Sequence, residues 1–394
     1  MSSLLFIRLS SSYFWYFSIL GLVVPFLPIF LDGNGFSSIQ IGEILAIVTA
    51  TKIVGPSLWA IIADKTGKQL SIIRLGALLT CVSFSMLFFV NQYWPITFVL
   101  AMFSLFWTAI LPQLEVLTLT SVKRSAKIYA RIRLWGSIGF IILAVVSGEL
   151  LDAFGSDTFT YIGFVIIIAL FLSTLVVKQP RLSVSSKIKT SRIIDKLLTK
   201  GFIAFFIAGL LLQVSFGPYY GFFALYLRDM DYPAFSVGLY ISVGVIAEIG
   251  IFIIAGRIYQ LCGAVWLISL SILISALRWY LTGTMADNPF ILFIVQLMHA
   301  ASFGLYHSAS IQYLQQHFAA NQQNRGQAIY IGGVYGLGGA LGAYIAGMLW
   351  HDGMGATETF NFAALIALIG GLIALLMKEK KKEFSLMSKK EEKV

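Results

Sequence analysis

The feature that most limits this chain is a recurrence: twelve apolar runs, each of about twenty residues and nearly free of charge, follow one another from end to end. They cover roughly 9–31, 38–62, 70–90, 95–120, 129–150, 158–177, 201–227, 234–257, 264–284, 289–316, 327–350 and 358–377, here spans 1 to 12. A helix rises about 1.5 Å per residue, so each run is long enough to cross about 30 Å of hydrocarbon. Membrane strands would be about ten residues long and alternate in polarity, which these runs do not. Lipid offers backbone amides no partners, so helices, which satisfy their own, are expected. The chain is 58% hydrophobic and 12% charged over 394 residues, too apolar for one water-soluble core. The expected fold class is an all-α membrane protein with twelve transmembrane helices. Span 1 is too long for a signal-peptide core and lacks a small-residue cleavage site, so it is expected to be retained.

Breaks between spans fall at turn-forming sequences: DGNG after Leu31, ADKTGKQ from Ala63, NQYWP from Asn91, DNP from Asp287 and HDGMG from His351. Bases collect in alternate loops. One set holds Lys65 and Lys68, then Lys123, Arg124 and Lys127, the segment from Lys178 to Lys200, Arg257, Arg325 and the tail from Lys378. The other holds one base, Arg228, beside Asp32, Asp152, Asp157, Asp229, Asp231, Asp287 and Asp352. Basic loops stay in the cytoplasm, so both termini are expected there. The net charge of +10 is then a topology signal rather than a nucleic-acid site, with KEKKKEF in the tail available to anionic lipid. The polar stretch QPRLSVSSKIKTSRIIDKLLTK from Gln179 divides six spans from six. The expected organisation is an N-terminal six-helix bundle over 1–178, a cytoplasmic linker over 179–199, a C-terminal six-helix bundle over 200–378 and a basic tail over 379–394. Two bundles joined in this way are the layout of a transporter that alternates access. Two cysteines, Cys81 and Cys262, lie in or beside runs of different halves and indicate neither a disulfide framework nor a metal site. No nucleophile–base pair, metal cluster or phosphate-binding loop is visible, so neither an enzyme nor a cofactor is expected.

Ionisable residues inside spans are expensive and mark function. In the first half they are Lys52 in span 2, Glu115 in span 4 and Arg133 in span 5; in the second, Glu248 in span 8, Arg278 in span 9, and His299 and His307 in span 10. Arg74 and Glu149 sit near span ends, as boundary residues that can snorkel. Glu115 ends one span and Arg133 begins the next on the same side, at a depth where they can pair or jointly grip a ligand. Arg133, Ser137 and Phe140 share one helix face. On span 10, Gln296, His299, Ser302, Tyr306, Ser310 and Tyr313 recur every three or four residues, a stripe expected to line the aqueous path. Gln213, Phe216 or Gly217, and Tyr220 suggest a second lining face on span 7, with Pro218 permitting a bend. In span 11, Gly332 with Gly336 and Gly338 with Gly342 have the spacing for close helix contact.

The loop AIIADKTGKQ resembles the signature between spans 2 and 3 of the major facilitator superfamily, matching at Asp64, Gly67 and Lys68, with Ala60 where the leading glycine stands. The resemblance implies that Asp64, Lys65, Gly67 and Lys68 help close the cytoplasmic gate. PQLEVL and ARIRLWGSIGF resemble spans 4 and 5 of the lactose permease group of oligosaccharide:proton symporters, with Phe140 where that group has Trp. GVIAEIGIF, SALRWY and VQLMHAASF fit the same group, which places Glu248, Arg278 and His299 among its proton-coupling and substrate-linked positions. Ser302 replaces its proton-carrying Glu. RIRLWGSIGF, LLQVSFGPYYGFFALY, VGVIAEIGIF and VQLMHAASF more closely resemble the phenylpropionate permease family, over nearly the whole length; that family also has a base where Lys52 stands.

A proton carrier needs a carboxyl whose proton affinity responds when the cavity closes. Glu248 is the expected carrier, with His299 as relay and Arg278 as their cation. The expected substrate-binding residues are Glu115, Arg133, Lys52, Phe140, Ser137, Gln213, Tyr220 and Tyr306. Lys52 decides between cargoes: left unpaired it favours an aromatic or other organic acid, whereas paired with Glu115 it leaves room for a sugar or oligosaccharide. A nucleoside, or efflux of amphiphilic drugs, is a further alternative. The expected partners are this small molecule, protons and membrane lipid, around a monomer in a bacterial inner membrane.

Overall fold

The computed structural model describes residues 3–123, 125–178 and 192–377. The expected tail, residues 179–191 of the expected linker and the side chain of Asp64, an expected gate residue, lie outside the described residues. Twelve helices match the expected spans: Ser3–Gly33, Ser38–Ala63, Gln69–Phe88, Tyr93–Ser121, Ala126–Phe154, Thr158–Val176, Lys200–Asp229, Ala234–Cys262, Ala264–Met285, Pro289–His317, Gln323–Gly353 and Ala356–Ala374. Among the described residues there is no strand.

Four spans depart from regular helix. Span 4 breaks at Thr108 and Ala109, and span 7 at Phe216, ahead of Gly217 and Pro218. Spans 10 and 11 pass through π-helical turns at Ala300–Leu305 and Ile331–Gly338. Such turns insert a residue, re-aim the side chains beyond it and gather at functional sites.

Each half repeats one packing scheme, six spans apart. Span 1 packs on spans 5 and 6 as span 7 packs on spans 11 and 12; span 3 packs on spans 4 and 6 as span 9 packs on spans 10 and 12. Between halves the most extensive contacts are span 2 on span 11, span 5 on span 8, and span 1 on span 7. They crowd at the end remote from the termini, where glycines allow backbone to touch backbone. A Cβ on Gly238 would collide with the carbonyl of Ala144, and one on Gly148 with that of Ala234. A Cβ on Gly42 would stand 2.8 Å from both the Ala343 oxygen and the Gly347 Cα. Toward the termini, Gly250 and Gly256 of span 8 face open space. The halves thus meet at the far end and diverge toward the termini.

Carboxylates latch the far end. Asp152, ending span 5, accepts hydrogen bonds from the amides of Ala234 and Phe235 at the start of span 8, both at 2.8 Å. Asp352, ending span 11, accepts from the Ser38 amide at 3.0 Å and its hydroxyl at 2.6 Å, at the start of span 2. Both place a negative charge where a helix presents unpaired N–H groups. The six-span repeat relates one latch to the other. Arg228 adds an ion pair to Asp32 of the opposite half and a second to Asp229.

At the termini end, Gly67 caps span 2 in the left-handed conformation, φ +65°, its N–H bonded to the Ala63 carbonyl at 2.8 Å. Lys65 and Lys68 beside it are exposed. Arg74, near one end of span 3, reaches the end of a neighbouring helix. Its guanidinium donates to the carbonyls of Thr174, Leu175 and Val177, tying span 3 to the C-terminus of span 6. Cys81 and Cys262 are free thiols.

Candidate functional site: two charged clusters facing across the halves

In the first half, the Tyr129 hydroxyl donates to Glu115 Oε1 at 3.3 Å, and the Arg133 guanidinium lies 3.8 Å over the Phe17 ring. Tyr129 stands one helical turn before Arg133, so both side chains leave span 5 on one face. Of the two arrangements open to Glu115 and Arg133, a direct pair is not the one seen: no base lies within 4.0 Å of Glu115 among the described residues. The reason is that Phe17 holds the guanidinium by a cation–π contact while Tyr129 takes the carboxylate. The Arg133 charge still reaches Glu115, and it also reaches Glu248 in the opposite half.

In the second half, Glu248 Oε2 lies 3.7 Å from His299 Nε2, with side-chain exposures of 18% and 8%. Behind His299 is Arg278, fully buried. Its guanidinium donates to the Val295 carbonyl at 2.8 Å, His299 Nδ1 at 3.0 Å, Ser302 Oγ at 3.3 Å and Gln296 Oε1 at 3.4 Å. Tyr219 and Trp279 present ring faces to it at 4.3 and 4.5 Å. No carboxylate pairs with Arg278 among the described residues, so it is not the partner of Glu248. His299 stands between them.

Lys52 projects from the face of span 2 between spans 4 and 11: its neighbours Thr51 and Gly55 meet Ser104 and Thr108 of span 4, while Thr49 and Ile53 meet Gly339 and Gly336 of span 11. It is exposed and makes no ion pair among the described residues. Tyr220 is 37% exposed, and Phe140 and Ser137 are half-buried.

The span 10 stripe does not line water. Gln296, His299, Ser302, Tyr306, Ser310 and Tyr313 are all buried, facing the other helices of their own half. Tyr306, an expected ligand contact, instead meets the Tyr330 hydroxyl at 3.1 Å. Gln213 is likewise buried, against Gly338 of span 11, and Phe216 is fully covered. On the expected span 7 face, Tyr220 remains. Gly338 and Gly342 pack on span 7 as their spacing implies, whereas Gly336 meets Ile53 of the opposite half. His307 bonds the Tyr335 hydroxyl at 3.1 Å. Tyr129, Phe17 and Tyr219 are the contributors that sequence reasoning missed. Tyr129 alone left a trace, its one-turn spacing from Arg133. No group of three metal-ligating side chains occurs among the described residues.

A protein-family model described as MFS_1 like family matches residues 6–362. The chain is 28% identical over 350 residues to the "Probable 3-phenylpropionic acid transporter" of Escherichia coli (strain K12), covering 87% of this chain and 90% of that protein. It is 25% identical over 380 residues to the "Maltose permease" of Geobacillus stearothermophilus, covering 94% of each. Among solved structures, nucleoside transporter NupG superposes with a TM-score of 0.81 at 18% identity, over 96% of this chain and 100% of that one. A bacterial homolog of the lysosomal transporter Spinster, inward-facing and occupied, superposes with a TM-score of 0.75 at 12% identity, over 94% and 96%.

Proposed function

The chain belongs to the MFS_1 like family, transporters of the major facilitator superfamily, and on that premise we propose that it is a proton-coupled symporter importing an organic acid, an aromatic carboxylate of phenylpropionate type, by alternating access. The observation that carries this reading is Lys52, about fourteen residues into span 2, exposed between spans 4 and 11 and without an ion pair among the described residues. With Lys52, Arg133 and Arg278 set against Glu115 and Glu248, three cations oppose two carboxylates, and one substrate carboxylate balances the charge. Lys52 and Arg133 are the cations left to receive it, because Arg278 is spent on its own half. The rings of Phe17, Phe140 and Tyr220 suit an aromatic body. The likeness to a 3-phenylpropionic acid transporter supports the same choice.

Glu248 carries the coupled proton in this reading, and Ser137 orients the substrate beside Arg133. The open end faces the cytoplasm of a bacterial cell, by the excess of Lys and Arg in its loops. Asp64, Lys65, Gly67 and Lys68 then belong to the gate that closes this end. A second reading, a sugar held between Glu115 and Arg133, is favoured by the full-length likeness to a maltose permease.

A thermal-shift panel of 3-phenylpropionate, maltose and uridine against the purified protein separates these readings: 3-phenylpropionate is expected to stabilise it and the other two are not. A hydrogen bond to a charged group is worth about 1.5–3 kcal/mol, so Lys52→Ala is expected to weaken 3-phenylpropionate roughly 10- to 100-fold. Stabilisation by maltose, with Lys52→Ala silent, would transfer the assignment to the sugar reading. Arg133→Ala is expected to abolish the shift with any ligand that binds; retained affinity would leave Arg133 a helix lock on Phe17.

A further inference from the structure

His299 touches two groups of opposite kind, and their chemistry fixes where its proton sits. On one side is Arg278, whose guanidinium has donors and no acceptor. Its Nη1 lies 3.0 Å from His299 Nδ1, so this nitrogen must offer a lone pair. On the other side Nε2 faces Glu248 Oε2 at 3.7 Å. The ring cannot readily turn to exchange these roles. Phe303 stacks on it at 5.2 Å with the planes 6° apart, and Phe216 and Tyr219 close the other approaches. Arg278 cannot readily withdraw either, because Val295, Ser302 and Gln296 hold the rest of its guanidinium. A second proton on Nδ1 would set two donors against each other beside a buried cation.

We infer that Arg278 is a positioning residue: by donating into Nδ1 it holds His299 as the neutral tautomer protonated on Nε2, a fixed donor aimed at Glu248, and so removes the imidazole from proton exchange. The charged and titratable groups facing this cluster are Glu248 on span 8, Arg278 on span 9, Tyr219 and Tyr220 on span 7, Tyr335 on span 11 and, across the halves, Arg133 on span 5. Of these, Glu248 is the one carboxyl; the other protons sit on phenols and guanidinium groups, which are far weaker acids. His299 therefore serves coupling as a fixed N–H dipole facing Glu248 at 3.7 Å and not as the relay that its place in the sequence suggested. The tautomer does not depend on the transport reading; its consequence for coupling rests on that reading.

The test is nitrogen NMR of the full chain, labelled with 15N-histidine and held in lipid nanodiscs without any ligand. The chain has four histidines, and the spectrum of His299→Gln identifies the resonances of His299 by difference. A pyridine-like shift at Nδ1 and a pyrrole-like shift at Nε2 are expected, both unchanged between about pH 5 and pH 8, where a free imidazole titrates. In Arg278→Met, similar in length but without donors, the two nitrogens should average and titrate. A proton on Nδ1 in the unmodified protein, or a ring titrating within that range, would overturn the inference even if Arg278→Met fails to fold. A ligand-free spectrum of this kind is untouched by whether the cargo is an acid or a sugar.

Discussion

Glu248→Gln is expected to abolish proton-driven accumulation of substrate in proteoliposomes while sparing exchange of labelled for unlabelled substrate. A gradient of one pH unit is worth about 1.4 kcal/mol per proton and can sustain about a tenfold ratio of substrate across the membrane. The variant should settle near a ratio of one. Glutamine keeps the size of the side chain and an oxygen to face His299 Nε2, so the loss isolates the proton rather than the packing. His299→Gln makes the complementary prediction, because an amide can accept from Arg278 and donate to Glu248 without exchanging a proton. Accumulation should persist there at a ratio above one. Persistence in Glu248→Gln with loss in His299→Gln would reverse the two roles.

Span positions were legible because hydrophobic length is a demand that lipid makes of the backbone itself, and tertiary packing does not relax it. The observed spans begin and end within six residues of those expected, the largest extensions being six residues at the start of span 1 and five at the end of span 8. What side chains face was much less legible. Six polar residues at helical spacing on span 10 signal a side turned away from lipid, and a bundle interior satisfies that demand as well as a water-filled path does. Tyr306 went into the bundle to meet Tyr330 beside Gly209 of span 7, and Gln213 went against Gly338 of span 11, because these small residues let the helices close over them. Whether opposite charges pair was undecided for a related reason. Opposite charges at one depth suggest a pair, yet Phe17 and Tyr129 divide Arg133 from Glu115, and neither competitor carries a charge that a sequence scan would notice. The latches were present in the sequence as acids of the far loops, Asp152 and Asp352, counted for topology alone. Their role needed the start of a helix from the other half brought beside them, and that is a property of the assembled fold.

Gly42→Trp combined with Gly238→Trp is expected to hold the far end open and to stop transport. At Gly238 even a Cβ meets the carbonyl of Ala144, and at Gly42 it meets Ala343 and Gly347, so the obstruction is backbone and cannot rotate away. Overpacking typically costs about 1–3 kcal/mol per site. Two indole rings against backbone fall at the upper end of that range, together about 5–6 kcal/mol, and about 5.5 kcal/mol inverts a two-state equilibrium from 99:1 to 1:99. The latches oppose this: Asp152 at the start of span 8, Asp352 at the start of span 2, and Arg228 with Asp32 all lose their partners when the far end parts. Their charges are exposed to water once separated, so they recover hydration and resist opening by much less than the rings impose. Spin labels on cysteines placed at Phe154 and Leu239, exposed positions on spans 5 and 8, report the outcome once Cys81 and Cys262 are replaced. A longer and broader distance distribution in the double variant is expected, with 3-phenylpropionate uptake reduced at least tenfold. An unchanged distribution would mean that the contact between the halves at this end is not the closure that alternation must undo.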